Sequence, residues 1–124
     1  MAGTPSFASD LQAISDVIDV YFSGLHHADT ATLSSVFDED CHLCAPGVRL
    51  SLAQWLAKVE SRPVPAELGL PYLYRIVSMG VYGNQAMVQA ICPLLGSEYF
   101  DFLGLLREHS QWKIVSKMYA DSSL

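Results

Sequence analysis

YLYRIVSMGVYGNQAMVQAICPLLGSEYFDFLGLLREHSQWKIVSKMYA, residues 72–120, is the stretch whose reading decides the fold. Runs rich in valine, isoleucine, tyrosine and phenylalanine are broken by Gly83-Asn84, by Leu95-Gly96-Ser97 and by Glu108-His109-Ser110. Period-two alternation between turn signals predicts four antiparallel strands in a meander, roughly 72–82, 85–94, 98–107 and 111–120. Pairing outward from the first turn sets Val81, Met79, Val77 and Arg75 opposite Ala86, Val88, Ala90 and Cys92. The next hairpins carry the same face to Leu106, Gly104, Phe102 and Phe100, and then to Trp112, Ile114, Ser116 and Met118. This mostly apolar face is expected to meet the helices. The opposite face, with Tyr82, Gln89, Met87, Tyr99, Asp101, Leu103, Lys113, Lys117 and Tyr119, mixes polarity with bulk. Such a face predicts a partner surface, a homodimer through the outer side of the sheet.

Upstream, the pattern changes to helical spacing. Leu11, Ile14, Val17, Ile18, Tyr21, Phe22 and Leu25 recur at three- and four-residue steps, which predicts an amphipathic helix from Ser9, its cap, to about His27. Asp29 or Thr30 then caps a short second helix that buries Leu33, Val36 and Phe37, and Asp38 to Asp40 read as a turn. CHLCA, 41–45, is a short strand stopped by Pro46-Gly47, and VRL, 48–50, a second extended piece. Ser51 caps a third helix, LAQWLAKVE, with Leu52, Trp55, Leu56 and Val59 buried, which ends near Arg62 before a proline-rich loop. The fold class that follows is α+β: a curved, cone-shaped antiparallel meander, with short N-terminal strands, closed by three N-terminal helices over an apolar pocket. The expected organisation is a single domain over 1–124, with 1–8 as a flexible N-terminus.

Composition narrows the function classes. The chain has 124 residues, 51% of them hydrophobic and 16% charged, enough for one sizeable core and too apolar for disorder. A net charge of −6, with seven basic residues scattered along the chain, argues against a nucleic-acid surface and against anionic membranes. MAGTPSFASD lacks both a basic and an apolar leader segment, so the expected location is the cytoplasm. Three cysteines, an odd and small number, fit free thiols in a reducing compartment. Cys41 and Cys44 are three apart in a strand and point to opposite faces, with no second pair to complete a metal site. No metal and no cofactor is implied by any motif. His26 and His27 fall at the end of the first helix, where a partial positive charge is favourable, and His42 belongs to the outer face.

VIDVYFSGLHHADTATLSSVFDEDCHLCAP at the front and YFDFLGLLREHSQWKIVSKMYAD at the back, in this order of elements, resemble the nuclear transport factor 2-like superfamily. The Y-x-D-F-L-x-L and W-K-I-V-x-K patterns are similar to its lumazine-binding-like branch, a relative of the SnoaL-like group. That superfamily holds isomerases, cyclases, dehydratases and binding or scaffold members, so the fold does not choose among them. Aligned without a gap to ketosteroid isomerase, the front segment puts Tyr21 at the position of the tyrosine that donates to the steroid oxyanion. It puts Ala45 where the isomerase keeps its catalytic aspartate. An alanine methyl carries no proton, so standard isomerase chemistry is not expected. The isomerase's second donor falls at Phe102 or Asp101, and the pairing above favours Phe102.

Two charged residues have alternative readings. Asp101 is in register with Lys117 for a cross-strand ion pair on the outer face; a register shifted by one residue brings it into the pocket as an acid or base. Arg75, on an apolar face, either reaches solvent at the strand's start or meets an anionic ligand group. The resulting expectation is a small-molecule-binding domain of the lumazine-binding-like branch. Its pocket is lined by Tyr21, Trp55, Arg75, Cys92, Phe100, Phe102, Ser116 and Met118 and takes a small apolar or anionic molecule. The alternatives are a SnoaL-like or isomerase-like enzyme drawing on Tyr21, Asp101 or His42, and a non-catalytic dimeric scaffold.

Overall fold

In the computed structural model, which describes residues 6–122, helix α1 spans Phe7–His27 and starts earlier than its sequence pattern predicts. Ser6 and Ser9 form a reciprocal capping box, so Ser9 is the third helical residue and Ser6 the cap. Of the N-terminus expected to be flexible, 1–5 lies outside the described residues, and Ser6 to Ala8 belong to the start of this helix. Ala28 closes α1 in the left-handed region, and Asp29 caps helix α2, Thr30–Val36, through the Thr32 amide. Gly24 lets the two helices touch: a Cβ there would lie 2.7 Å from Leu33 side-chain atoms.

Strand β1 runs Phe37–Ala45 and takes up Asp38 to Asp40, which the acidic run had made a turn. It pairs antiparallel with β2, Val48–Ser51, and parallel with the last strand, an arrangement that needs α3, Leu52–Ser61, and the loop behind it as crossover. Ser51 and Gln54 form the capping box of α3. Strands β3, Arg75–Tyr82, β4, Gln85–Leu94, β5, Ser97–Glu108, and β6, Gln111–Asp121, make the meander. The sheet is mixed and open, in the order β2-β1-β6-β5-β4-β3. Three helices and a six-stranded curved sheet give the expected α+β cone, with Ile14, Ile18 and Phe22 of α1 and Val88, Ala90 and Leu103 of the sheet buried in one core. No helix among the described residues is long and apolar enough to cross a membrane.

The facing of the strands departs from the sequence reading, and short turns are the cause. The β4–β5 turn is two residues, Leu95 and Gly96, both at positive φ, with Leu94 opposite Ser97; a three-residue break had been expected. One residue fewer in the turn exchanges the faces of the following strand. On β5 the inner face is therefore Asp101, Leu103 and Leu105, while Phe100, Phe102 and Leu106 face outward. The β5–β6 turn is also two residues, His109 and Ser110, and this second shift restores Trp112 and Ile114 to the core. A bulge between Gly104 and Leu105 then shifts the register again, so Lys117 turns inward and Ser116 and Met118 turn out. A further bulge between Ile76 and Ser78 keeps Ile76 inward opposite Ala90 and leaves Arg75 and Val77 exposed.

Candidate functional site

The shifts on β5 and β6 assemble a cavity of about 110 Å³, with several charged side chains in its lining, between α1, α3 and strands β4 to β6. Tyr21 and Leu25 from α1 and Trp55 from α3 form one side, Cys92, Leu94 and Asp101 the sheet side, and Lys58, Arg62, Tyr99, Lys117 and Tyr119 complete the lining. Tyr21 is fully buried because its position on α1 follows the Ile14 and Ile18 stripe, and the edge of Phe37 packs against its ring at 5.7 Å. Its hydroxyl donates to Asp101 Oδ2 at 2.6 Å, and the Cys92 thiol donates to the same oxygen at 3.4 Å. The second oxygen, Oδ1, is buried and accepts no hydrogen bond among the described residues. Burial first, then the neighbouring Asp101, holds the Tyr21 phenol well above its ordinary value, so it acts as a donor and not as an acid. Burial and Asp101 likewise push the Cys92 thiol up, away from thiolate chemistry.

Lys117 occupies the centre. It is 5% exposed, and its ammonium lies over three aromatic rings, 4.2 Å from the centroid of Trp55, 4.9 Å from Tyr119 and 5.1 Å from Tyr21. A cation taken out of water is held here by ring quadrupoles as well as by the field of Asp101. Burial lowers the pKa of Lys117, against the opposing pull of Asp101. Arg62 supplies a second interior cation. Pro63 disfavours helical backbone at the residue before it, so Arg62 leaves α3 in an extended conformation, with φ −101° and ψ 162°. Arg62 lines the cavity, and its Nε and Nη2 are buried without a hydrogen-bond partner among the described residues. Burial lowers its pKa.

The residues expected to line the pocket separate into two groups. Tyr21, Trp55 and Cys92 line this cavity. Phe100, Phe102 and Met118 instead line an open groove of about 500 Å³ on the opposite face of the sheet, beside Ala45, Pro46 and Arg49. Ser116 and Arg75 are exposed, for the register reasons given above, so the anion-meeting role considered for Arg75 has no place in the cavity. Asp101 faces the cavity and not the outer sheet surface; Lys117 follows it inward, and His42 is exposed. No group of three or more histidine, cysteine, aspartate or glutamate side chains is placed to hold a metal ion among the described residues.

The model of the family described as "Putative lumazine-binding" matches residues 9–120. The chain belongs to that family. This lumazine-binding-like domain shares its fold with solved structures of low identity. An NTF2-like protein of unknown function from Shewanella baltica OS155 superposes with a TM-score of 0.84 at 18% identity, covering 94% of this chain and 97% of that one. Another, from Silicibacter pomeroyi DSS-3, gives 0.78 at 22% identity over 94% and 99%. A ketosteroid isomerase-like protein from Erwinia carotovora atroseptica SCRI1043 gives 0.74 at 14% identity over 95% and 100%. No curated protein matches the sequence. At these identities the likeness is one of fold.

Sequence reasoning missed Lys117 and Arg62 as site residues of this lumazine-binding-like domain. Lys117 sits where simple alternation from Trp112 and Ile114 points outward, and only the bulge reverses it. For Arg62 a signal existed: an arginine that ends an amphipathic helix immediately before a proline is directed off the helix axis.

Proposed function

We propose that this protein binds a small organic anion in the cavity between α1, α3 and β4–β6. The observation that carries the reading is Arg62, a side chain that lines the same cavity as Lys117 and whose buried Nε and Nη2 have no partner among the described residues. A buried guanidinium with free donors is costly unless a carboxylate, phosphate or enolate satisfies it. Lys58, Arg62 and Lys117 face the one carboxylate of Asp101, so the lining carries excess positive charge in a chain whose net charge is −6. The rings of Trp55, Tyr99 and Tyr119 add apolar and stacking surface for a planar ligand body. The family description suits a flat heterocycle, and lumazine belongs in any ligand panel.

Thermal shift and calorimetry with benzoate, lumazine and the neutral isostere benzyl alcohol test this. Benzoate is expected to stabilise the protein more than benzyl alcohol does, and Arg62→Gln to remove that difference. Equal stabilisation by benzyl alcohol, or anion binding unaltered in Arg62→Gln, overturns the reading.

A second reading, acid–base catalysis, is favoured by one observation: Asp101 lines the cavity with Oδ2 fixed by Tyr21 and Oδ1 without a hydrogen-bond partner among the described residues. With Ala45 at the position of the isomerase base, Asp101 would be the proton carrier, and activity lost in Asp101→Asn with binding retained is the result that supports it. We also infer that two copies associate through the outer sheet face, and that a reducing compartment such as the cytoplasm suits the free thiols Cys41, Cys44 and Cys92.

A further inference from the structure

We propose that Lys117 captures carbonyl compounds covalently, its amine condensing with the keto group of a small 2-oxo acid whose carboxylate is met by Arg62. The proposal rests on the anion-binding reading of the cavity and names the ligand class. A lysine normally carries its ammonium to water or to a carboxylate. Lys117 instead lines the cavity, is 5% exposed, and makes no ion pair or hydrogen bond among the described residues. Its nitrogen is held in place by Trp55, Tyr119 and Tyr21 and is directed at the same small volume that Arg62 and Asp101 face. The arrangement meets the requirements of an imine-forming lysine: a desolvated amine, a second cation beside it, and a carboxyl group to move protons. Burial supports it further by lowering the Lys117 pKa, with Asp101 opposing and Arg62 acting in the same direction as burial.

The step balances without an oxidant or a reductant. The amine lone pair forms the C–N bond as the carbonyl π pair moves to oxygen. One N–H proton passes through Asp101 to that oxygen, giving a carbinolamine. The second N–H proton follows the same route, the C–O bond breaks, and water leaves behind the C=N bond. Asp101 returns to its starting state after each transfer, and Tyr21 keeps its Oδ2 fixed throughout. A 2-oxo acid fits because its carboxylate lies next to the keto carbon, so one small molecule can reach both cations in a cavity of about 110 Å³.

The full chain is incubated near pH 7 with pyruvate and sodium cyanoborohydride, which reduces an imine to a stable secondary amine, and is then mapped by peptide mass spectrometry. The expected result is an N-(1-carboxyethyl) group on Lys117 in at least about tenfold excess over Lys58 and Lys113, a ratio that marks a built site. Arg62→Gln is expected to lower labelling by pyruvate by a larger factor than labelling by propanal, which has no carboxylate and loses only the contribution of Arg62 to the free amine. The wild-type map decides the question even where a variant folds poorly. Labelling spread evenly over the three lysines, or none on Lys117, overturns the proposal. Where Lys117 is not labelled, a melting temperature still raised by pyruvate without cyanoborohydride shows that imine formation alone has failed, and an unchanged one shows that the anion-binding reading has failed with it.

Discussion

A buried carboxyl group with one oxygen held and the other free makes Tyr21 the residue whose loss should be felt most directly. Its hydroxyl is the short donor to Asp101 Oδ2, and the Cys92 thiol at 3.4 Å is a weak substitute. Tyr21→Phe keeps the ring against Phe37 and removes only the donor, so urea unfolding is expected to show a stability loss of about 1–3 kcal/mol. His26 offers a separate test at the mouth of the helix layer. It is buried, its Nδ1 lies 3.0 Å from the Tyr74 hydroxyl, and burial and His27 lower its pKa from 6.5. The folded state therefore favours the neutral ring, and the unfolded chain binds the proton more readily. Stability from this site is present above pH 6.5, falls as the pH drops toward the lower folded value, and levels off beneath it. Melting temperatures measured from pH 7.5 down to 5.5 should fall more steeply in the wild type than in His26→Phe; equal slopes would assign the pH response to other groups.

At the scale of elements, the turns decide what the cavity contains. His109 and Ser110 both adopt positive φ, 52° and 63°, in a two-residue turn that favours asparagine and glycine. Both are exposed, so His109→Asn with Ser110→Gly is expected to raise stability by about 0.5–1 kcal/mol, read from the denaturation midpoint. At the helix pair the sign reverses. A Cβ on Gly24 meets Leu33 at 2.7 Å, and Leu33 is fully buried, so Gly24→Ala should cost about 1–3 kcal/mol. The same elements show what could be read in the sequence. Helical stripes such as Ile14-Ile18-Tyr21 and the runs between Gly83-Asn84 and Trp112 carry their period in the residues themselves, and element types and order follow from them. Facing on β5 and β6 does not, because it depends on whether Leu95-Gly96-Ser97 holds two turn residues or three and on a bulge at Gly104, whose close approach to Ser116 is made in space. Tyr21, Trp55 and Cys92 sit on α1, α3 and β4, elements whose facing the sequence pattern settles. Asp101 and Lys117 lie downstream of the ambiguous turn, and their inward direction is set by backbone geometry that period-two alternation does not encode.

For the whole molecule, the register that fills the cavity with charge leaves the outer sheet face with the side chains that need cover. Val77, Met87, Phe102, Leu106 and Met118 are between 37% and 54% exposed, all on one side of β3 to β6. Phe100 and Phe102 pack ring to ring at 5.3 Å and, with Met118, floor the open groove beside Arg49. An apolar face this continuous is rare on a protein that stays monomeric, and a second copy of the same sheet offers matching chemistry. Sedimentation velocity at micromolar concentration is expected to give a dimer, and Phe102→Glu with Met118→Glu a monomer, since like charges would meet at the centre of a two-fold contact. Met118 and Lys117 point to opposite sides of β6, so the monomeric variant should keep the cavity intact and bind anions as the wild type does. A wild-type monomer would show that the outer face serves something other than self-association. A monomeric variant that has lost anion binding would show instead that the two faces are coupled through β5 and β6, with Phe102 and Met118 supporting Asp101 and Lys117 from behind.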